Sequence, residues 1–179
     1  MRAILKRKFD AWAQNRRGSA AVEFALVAFP FMMILFGILE VAMMFFVSTT
    51  LESAVSTAAR EIRTGRLQAT AGTPADNFRT MICNRSFGML DCTGRLYFDV
   101  RVAPDFNDPS ADPLADGVLN ASEFNFNAGN AGDIVIVRAF YDWQVFTPLM
   151  GNMIANTPDR QRRVLMAAFA FRNEPFGTP

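Results

Sequence analysis

Between Arg16 and Val47 the chain reads RRGSAAVEFALVAFPFMMILFGILEVAMMFFV: two arginines and a glycine, then an apolar run whose only charged residues are Glu23 and Glu40. As a helix, Phe24 to Val47 rises about 36 Å, more than the ~30 Å hydrocarbon core of a bilayer. The run therefore predicts a transmembrane helix over 19–47, and every other element has to be arranged around a single membrane anchor. Pro30 removes one helical hydrogen bond within the run and predicts a local bend there.

The flanks set the topology. Arg2, Lys6, Arg7, Lys8, Arg16 and Arg17 precede the run against Asp10 alone. By the positive-inside rule residues 1–18 form a cytoplasmic leader, and everything beyond Val47 lies outside. A cleaved secretory signal has an apolar segment of about 7–15 residues, far shorter than this one. Nor does Arg16-Arg17 make a twin-arginine signal, because no carboxylate-free apolar segment follows promptly. Removing leader and span leaves about 130 residues, enough for one soluble core. Cys83 and Cys92 are the only cysteines. On the oxidising side of a membrane such a pair predicts a disulfide, worth about 2.5–3 kcal/mol for so short a loop, with two buried thiols as the other reading.

Past Val47 the helix is expected to continue. Ser48 to Gln68 holds no proline and sets Leu51, Val55, Ala58 and Ile62 at helical spacing, with Glu52, Arg60, Glu61, Arg63 and Arg66 on the remaining surface. Residues 48–72 read as an amphipathic extension of the anchor, one stripe packing on a globular domain over 73–179. Ala71-Gly72-Thr73-Pro74 ends that helix and opens a second one. Thr73 is its N-cap, Pro74 takes the first helical position and Asp76 sits at the positive dipole end. This helix carries Phe78, Met81 and Ile82 inward and delivers Cys83.

Strands follow. Leu96, Phe98, Val100 and Val102 alternate with Tyr97, Asp99, Arg101 and Ala103 in a half-buried pattern. Between Asp133 and Phe146 the set Val135, Val137, Ala139, Tyr141, Trp143 and Val145 is wholly apolar and forms one core face. Arg163 to Arg172 suits helix or strand, and the alternation of Leu165, Ala167, Phe169 and Phe171 favours strand. The fold class is α+β, with an antiparallel sheet of three or more strands. Pro104 to Gly132, rich in Asp, Asn, Pro and Gly, reads as a surface loop. The spacing of Asp105, Asp108, Asp112, Asp116 and Glu123 departs from the EF-hand rule, so a solvated loop is expected rather than a calcium site. Trp143, Phe146, Pro148 and Leu149 are expected to complete the core, an exposed assembly surface being the alternative.

A carboxylate inside a bilayer is costly, so Glu23 and Glu40 each call for a function. On a helix Glu23 lies about 6 Å along the axis from Ser19. A cut between Gly18 and Ser19 would set a new α-amino group beside a carboxylate of opposite charge. The basic leader, Gly18 and then Ser19-Ala20-Ala21-Val22-Glu23-Phe24 resemble the prepilin-peptidase site of type IV pilins, and the Glu-Phe pair is closest to the tight-adherence (Tad, or Flp) branch. Gly37-Ile38-Leu39-Glu40, Ala59-Arg60-Glu61-Ile62-Arg63-Thr64-Gly65 and Phe171-Arg172-Asn173-Glu174-Pro175-Phe176 resemble the TadE-like minor pilins, or pseudopilins, of that system. The similarity spans nearly the whole chain.

The resemblance implies processing after Gly18 by a prepilin peptidase, and a bacterial inner-membrane stem that packs among other Tad pilins and the assembly platform. Glu23, Phe24 and Glu40 would act in assembly, and the pilus would serve surface adherence. For Glu40 two fates are open. It packs between stems, where Gly37 permits close approach, or it snorkels to the outer boundary about 10 Å beyond. A chain with no histidine holds no Ser-His-Asp triad, Cys-His pair or histidine-ligated zinc, so an enzyme is not expected and no cofactor is implied. A net charge of +1 leaves no electrostatic footprint for nucleic acid. From another class, the alternative is an uncleaved single-pass membrane protein whose outer domain binds a ligand or partner.

Overall fold

Helix α1 (Ser19–Arg63) takes up the whole apolar run, with Pro30 inside it. The structure, a computed structural model, describes residues 18–106, 114–115, 118–159 and 161–177, so the leader before Gly18 lies outside the described residues. The chain divides into two compact units, Met1–Leu39 and Glu40–Pro179. In the first, most large apolar side chains from Val22 to Leu39 are exposed. The helix is long and apolar enough to cross a membrane.

In the second unit the remainder of α1 buries Val47, Leu51, Ala54, Val55, Ala58, Ala59 and Ile62. The expected stripe is there, but the helix stops at Arg63 instead of running on to the break at Ala71-Gly72-Thr73-Pro74. Gly65 is the reason: it adopts φ 75°, a left-handed conformation that side chains disfavour, and its N–H donates to the carbonyl of Ile62 at 3.0 Å. One-turn helix α2 (Arg66–Ala69) then buries Leu67. Helix α3 (Pro74–Arg85) begins with Pro74 in its first turn and Asp76 beside it, and buries Phe78 and Ile82. Thr73 occupies the N-cap without a side-chain bond; its carbonyl instead accepts the N–H groups of Asp76 and Asn77.

Three antiparallel strands, β1 (Leu96–Ala103), β4 (Ile134–Gln144) and β5 (Arg162–Arg172), form one sheet in the order β1-β4-β5. Strands β2 (Leu114–Ala115) and β3 (Val118–Leu119) pair separately, and one-turn α4 (Gly151–Ile154) lies between β4 and β5. The architecture is α+β, and Arg163–Arg172 is strand, as its alternation predicts. Val135, Val137, Ala139, Tyr141 and Trp143 on β4 join the α1 stripe in a single buried cluster, together with Leu96, Val100, Leu165, Ala167, Phe78 and Ile82. The disulfide Cys83–Cys92, with sulfurs 2.08 Å apart, ties the end of α3 to the turn before β1.

Two expectations need correction. The segment Pro104–Gly132 is not all solvated loop, because its latter part returns to the sheet. The N–H of Val100 donates to the carbonyl of Asn125, and the N–H of Asn127 to the carbonyl of Val100, both at 2.8 Å. Phe124 stacks on Phe140 with ring centres 5.2 Å apart, and Phe126 joins Phe78 and Phe98 in an aromatic triad. Composition missed this, since the two phenylalanines are sparse among polar neighbours. Trp143, Phe146, Pro148 and Leu149 also divide: Trp143 is buried, while the other three are exposed. Phe146 lies past the end of β4, so the alternation that buries Trp143 no longer governs it.

Candidate functional site

Gly18 is exposed, and a side chain there would meet nothing within 4 Å. The helix starts at the next residue. Ser19 and Glu23 are four apart and share a face, so the Ser19 hydroxyl donates to Glu23 Oε1 at 2.9 Å. Phe24 is 74% exposed. The N-terminal unit thus presents, in sequence, an unobstructed glycine, a helix start, a carboxylate one turn in and an aromatic side chain open to its surroundings.

Glu40 belongs to the other unit and is treated differently. Its residue is 6% exposed. Oε1 accepts the N–H of Phe146 at 2.7 Å and Oε2 accepts the N–H of Thr147 at 2.6 Å, and the Thr147 hydroxyl also reaches it. An ionised carboxylate is an acceptor on both oxygens, which suits a site built of donors. Sequence reasoning offered Glu40 a neighbouring stem or the membrane surface. The structure supplies partners from its own chain, 106 and 107 residues further on. No sequence signal could have found them, because they are main-chain N–H groups.

A second buried charge cluster also escaped the sequence. Asp99 pairs across the sheet with Arg138. Its Oδ2 accepts from Arg138 Nη2 at 2.6 Å, and its Oδ1 accepts from Arg101 Nε at 2.8 Å and the N–H of Asn125 at 2.9 Å. The side chains of Asp99 and Arg138 are 1% and 7% exposed. Burial raises the Asp99 carboxyl, but the bonds from Arg101, Asn125 and Arg138 together outweigh it and hold the group below its ordinary value. The period-two pattern placed Asp99 on the polar face; the returning segment at Asn125 is what covers it.

The two later landmarks of the resemblance meet. The N–H of Glu174 donates to the carbonyl of Arg63 at 2.9 Å, and the Glu174 carboxylate pairs with Arg63 Nη2 at 2.9 Å. A Cβ at Gly65 would collide with the ring of Phe176. Asn173 Nδ2 donates to the carbonyls of Ala128 and Asn130 at 2.9 and 3.0 Å. The C-terminal Phe171–Phe176 motif thus latches the end of α1.

A family model described as TadE-like protein matches residues 18–60. The stem is TadE-like. The match opens at Gly18 and takes in Glu23, Phe24 and Glu40; the C-terminal landmark and the cysteines lie beyond it. No curated protein and no solved structure matches the chain. The TadE-like match and the candidate membrane helix fall on the same N-terminal segment of the chain. Among the described residues no group of three or more His, Cys, Asp or Glu stands close enough to hold a metal ion. Asp108, Asp112 and Asp116 of the acidic segment lie outside the described residues.

Proposed function

We propose that this chain is a minor pilin or pseudopilin of a Tad pilus, cut by a prepilin peptidase between Gly18 and Ser19 and acting as a structural component of assembly in surface adherence. The leader is cytoplasmic, the stem crosses the bacterial inner membrane and the second unit faces outward. The observation that carries the reading is the family match, which begins at Gly18, one residue before the start of α1. Glycine there fits a peptidase that must approach the main chain closely.

Cleavage would turn the Ser19 nitrogen into an α-amino group, with an ordinary pKa near 8 and so protonated at neutral pH. The Ser19 hydroxyl already reaches Glu23. A carboxylate in hydrocarbon requires such a partner, and the amine of an adjacent stem can supply it as well as the chain's own. A stem inserted at the wrong height leaves both charges unpaired, so the pair selects register. Phe24, exposed beside it, supplies apolar contact to the neighbouring stem.

Intact-mass measurement in cells that make the peptidase tests the cleavage. The mature chain should begin at Ser19, and a bulky residue at Gly18 should leave full-length precursor. Normal processing of that variant, or retention of residues 1–18 in the wild type, would overturn the reading and leave an uncleaved single-pass protein. Glu23→Ala tests assembly separately: it should insert in the membrane, yet lose crosslinking between stems.

A further inference from the structure

Glu40 fixes the height of a loop. Its bonds to the N–H groups of Phe146 and Thr147 hold the start of the β4–β5 connection against α1 at residue 40. The apolar run of α1 continues to Val47, about 10 Å further by helical rise. Over that interval the helix is not wholly covered: Val41, Met43, Phe45 and Phe46 are between 42% and 70% exposed. The loop therefore begins at a level where the helix itself still presents apolar side chains to its surroundings.

The loop matches that level in composition. From Trp143 to Pro158 there is no charged residue. Phe146, Leu149 and Met153 are 68%, 75% and 80% exposed, although water is a poor solvent for all three. Leu149 has φ 68°, a left-handed conformation disfavoured for a residue with a side chain and kept only where the surrounding structure imposes it.

We infer that the loop Phe146–Met153 is a second membrane-contacting element, which seats Phe146, Leu149 and Met153 in the bilayer interface. The occupant of this apolar surface is lipid, since Glu40 ties the loop's first residues to the part of α1 at which Val41, Met43, Phe45 and Phe46 are exposed. Glu40 is buried against the loop's main chain, so the carboxylate crosses this level without meeting lipid. The inference rests on the membrane-spanning part of the proposed function and requires neither cleavage nor other pilins.

The test uses the full chain in phospholipid vesicles. An environment-sensitive fluorophore is attached to Met153→Cys under non-reducing conditions that leave Cys83–Cys92 closed, and a matched label on Ala168→Cys, on the exposed side of β5, serves as reference. The label at 153 should shift to the blue and lose fluorescence to nitroxides carried near the lipid head groups, whereas the label at 168 should respond only to a water-soluble quencher. An anchored chain whose label at 153 is as open to the aqueous quencher as that at 168 would overturn the inference and leave the pilin reading standing. Protection that appears only when other stems are added would overturn it too, by giving the surface to a protein partner. A chain removed from the vesicles by alkaline washing would overturn the membrane reading itself.

Discussion

Asp99 and Glu40 are buried carboxylates that satisfy their oxygens differently, and the difference predicts how each responds to change. The folded-state pKa of Asp99 is depressed, so its contribution is complete above the ordinary carboxylate value near 4 and is lost as the pH falls below it through the lower folded value. Asp99→Asn should flatten that acid limb. It should also cost about 3–5 kcal/mol at neutral pH, because it removes the ionised half of a buried, hydrogen-bonded ion pair with Arg138. Denaturant midpoints measured at acid and neutral pH check both, and an unchanged acid limb would mean that another carboxylate governs it. Glu40 faces two main-chain N–H groups. Glu40→Ala orphans both, at about 1–3 kcal/mol each, while Glu40→Gln keeps one acceptor oxygen and should lose roughly half as much. Thermal unfolding in detergent should rank wild type, Gln and Ala in that order; equal stabilities would show that solvent already reaches the site.

At the scale of elements, the latch between the end of α1 and the C-terminal motif turns on Gly65. Gly65→Ala places a Cβ in a left-handed conformation, costing about 1–2 kcal/mol, and drives it into Phe176. Adding Phe176→Ala should relieve the collision but not the backbone cost, so the double variant should be less destabilised than the sum of the two single variants. A double-mutant cycle on thermal unfolding reads this coupling, and strict additivity would mean that Phe176 does not hold its place against Gly65. Helix α3 is secured three ways: by the disulfide, by buried Phe78 and Ile82, and by Arg79, whose Nη1 donates to the carbonyls of Cys92 and Leu96 at 2.7 and 3.2 Å. The first two were legible in the sequence from spacing and topology. The arginine was not, since on a helical wheel it is one more polar surface residue.

For the whole molecule, the boundary of the folded unit is the lesson. The compact unit begins at Glu40, and α1 supplies part of its core, as the stripe expected over 48–72 implies. Val47, Leu51, Val55 and Ile62, at about 1.5–3 kcal/mol each, together approach the entire margin of about 5–15 kcal/mol that a domain possesses. A fragment 73–179 should therefore show no cooperative thermal transition, whereas 40–179 in mild detergent should; a sharp melt of the shorter fragment would refute the shared core. By itself the sequence determined what local periodicity and charge can encode: an apolar run long enough to span a bilayer, the stripe of α1, the start of α3, the alternation of β1, β4 and β5, and a glycine and carboxylate at the head of the stem. Tertiary structure alone decided that Glu40 binds Phe146 and Thr147, that Asp99 meets Arg138, that the C-terminal motif closes on Gly65 and that Phe146 and Leu149 stay exposed. Those outcomes depend on strand register and on which distant segments meet, and where the partners are main-chain N–H groups, as at Glu40, every residue carries them alike and no residue pattern can mark them.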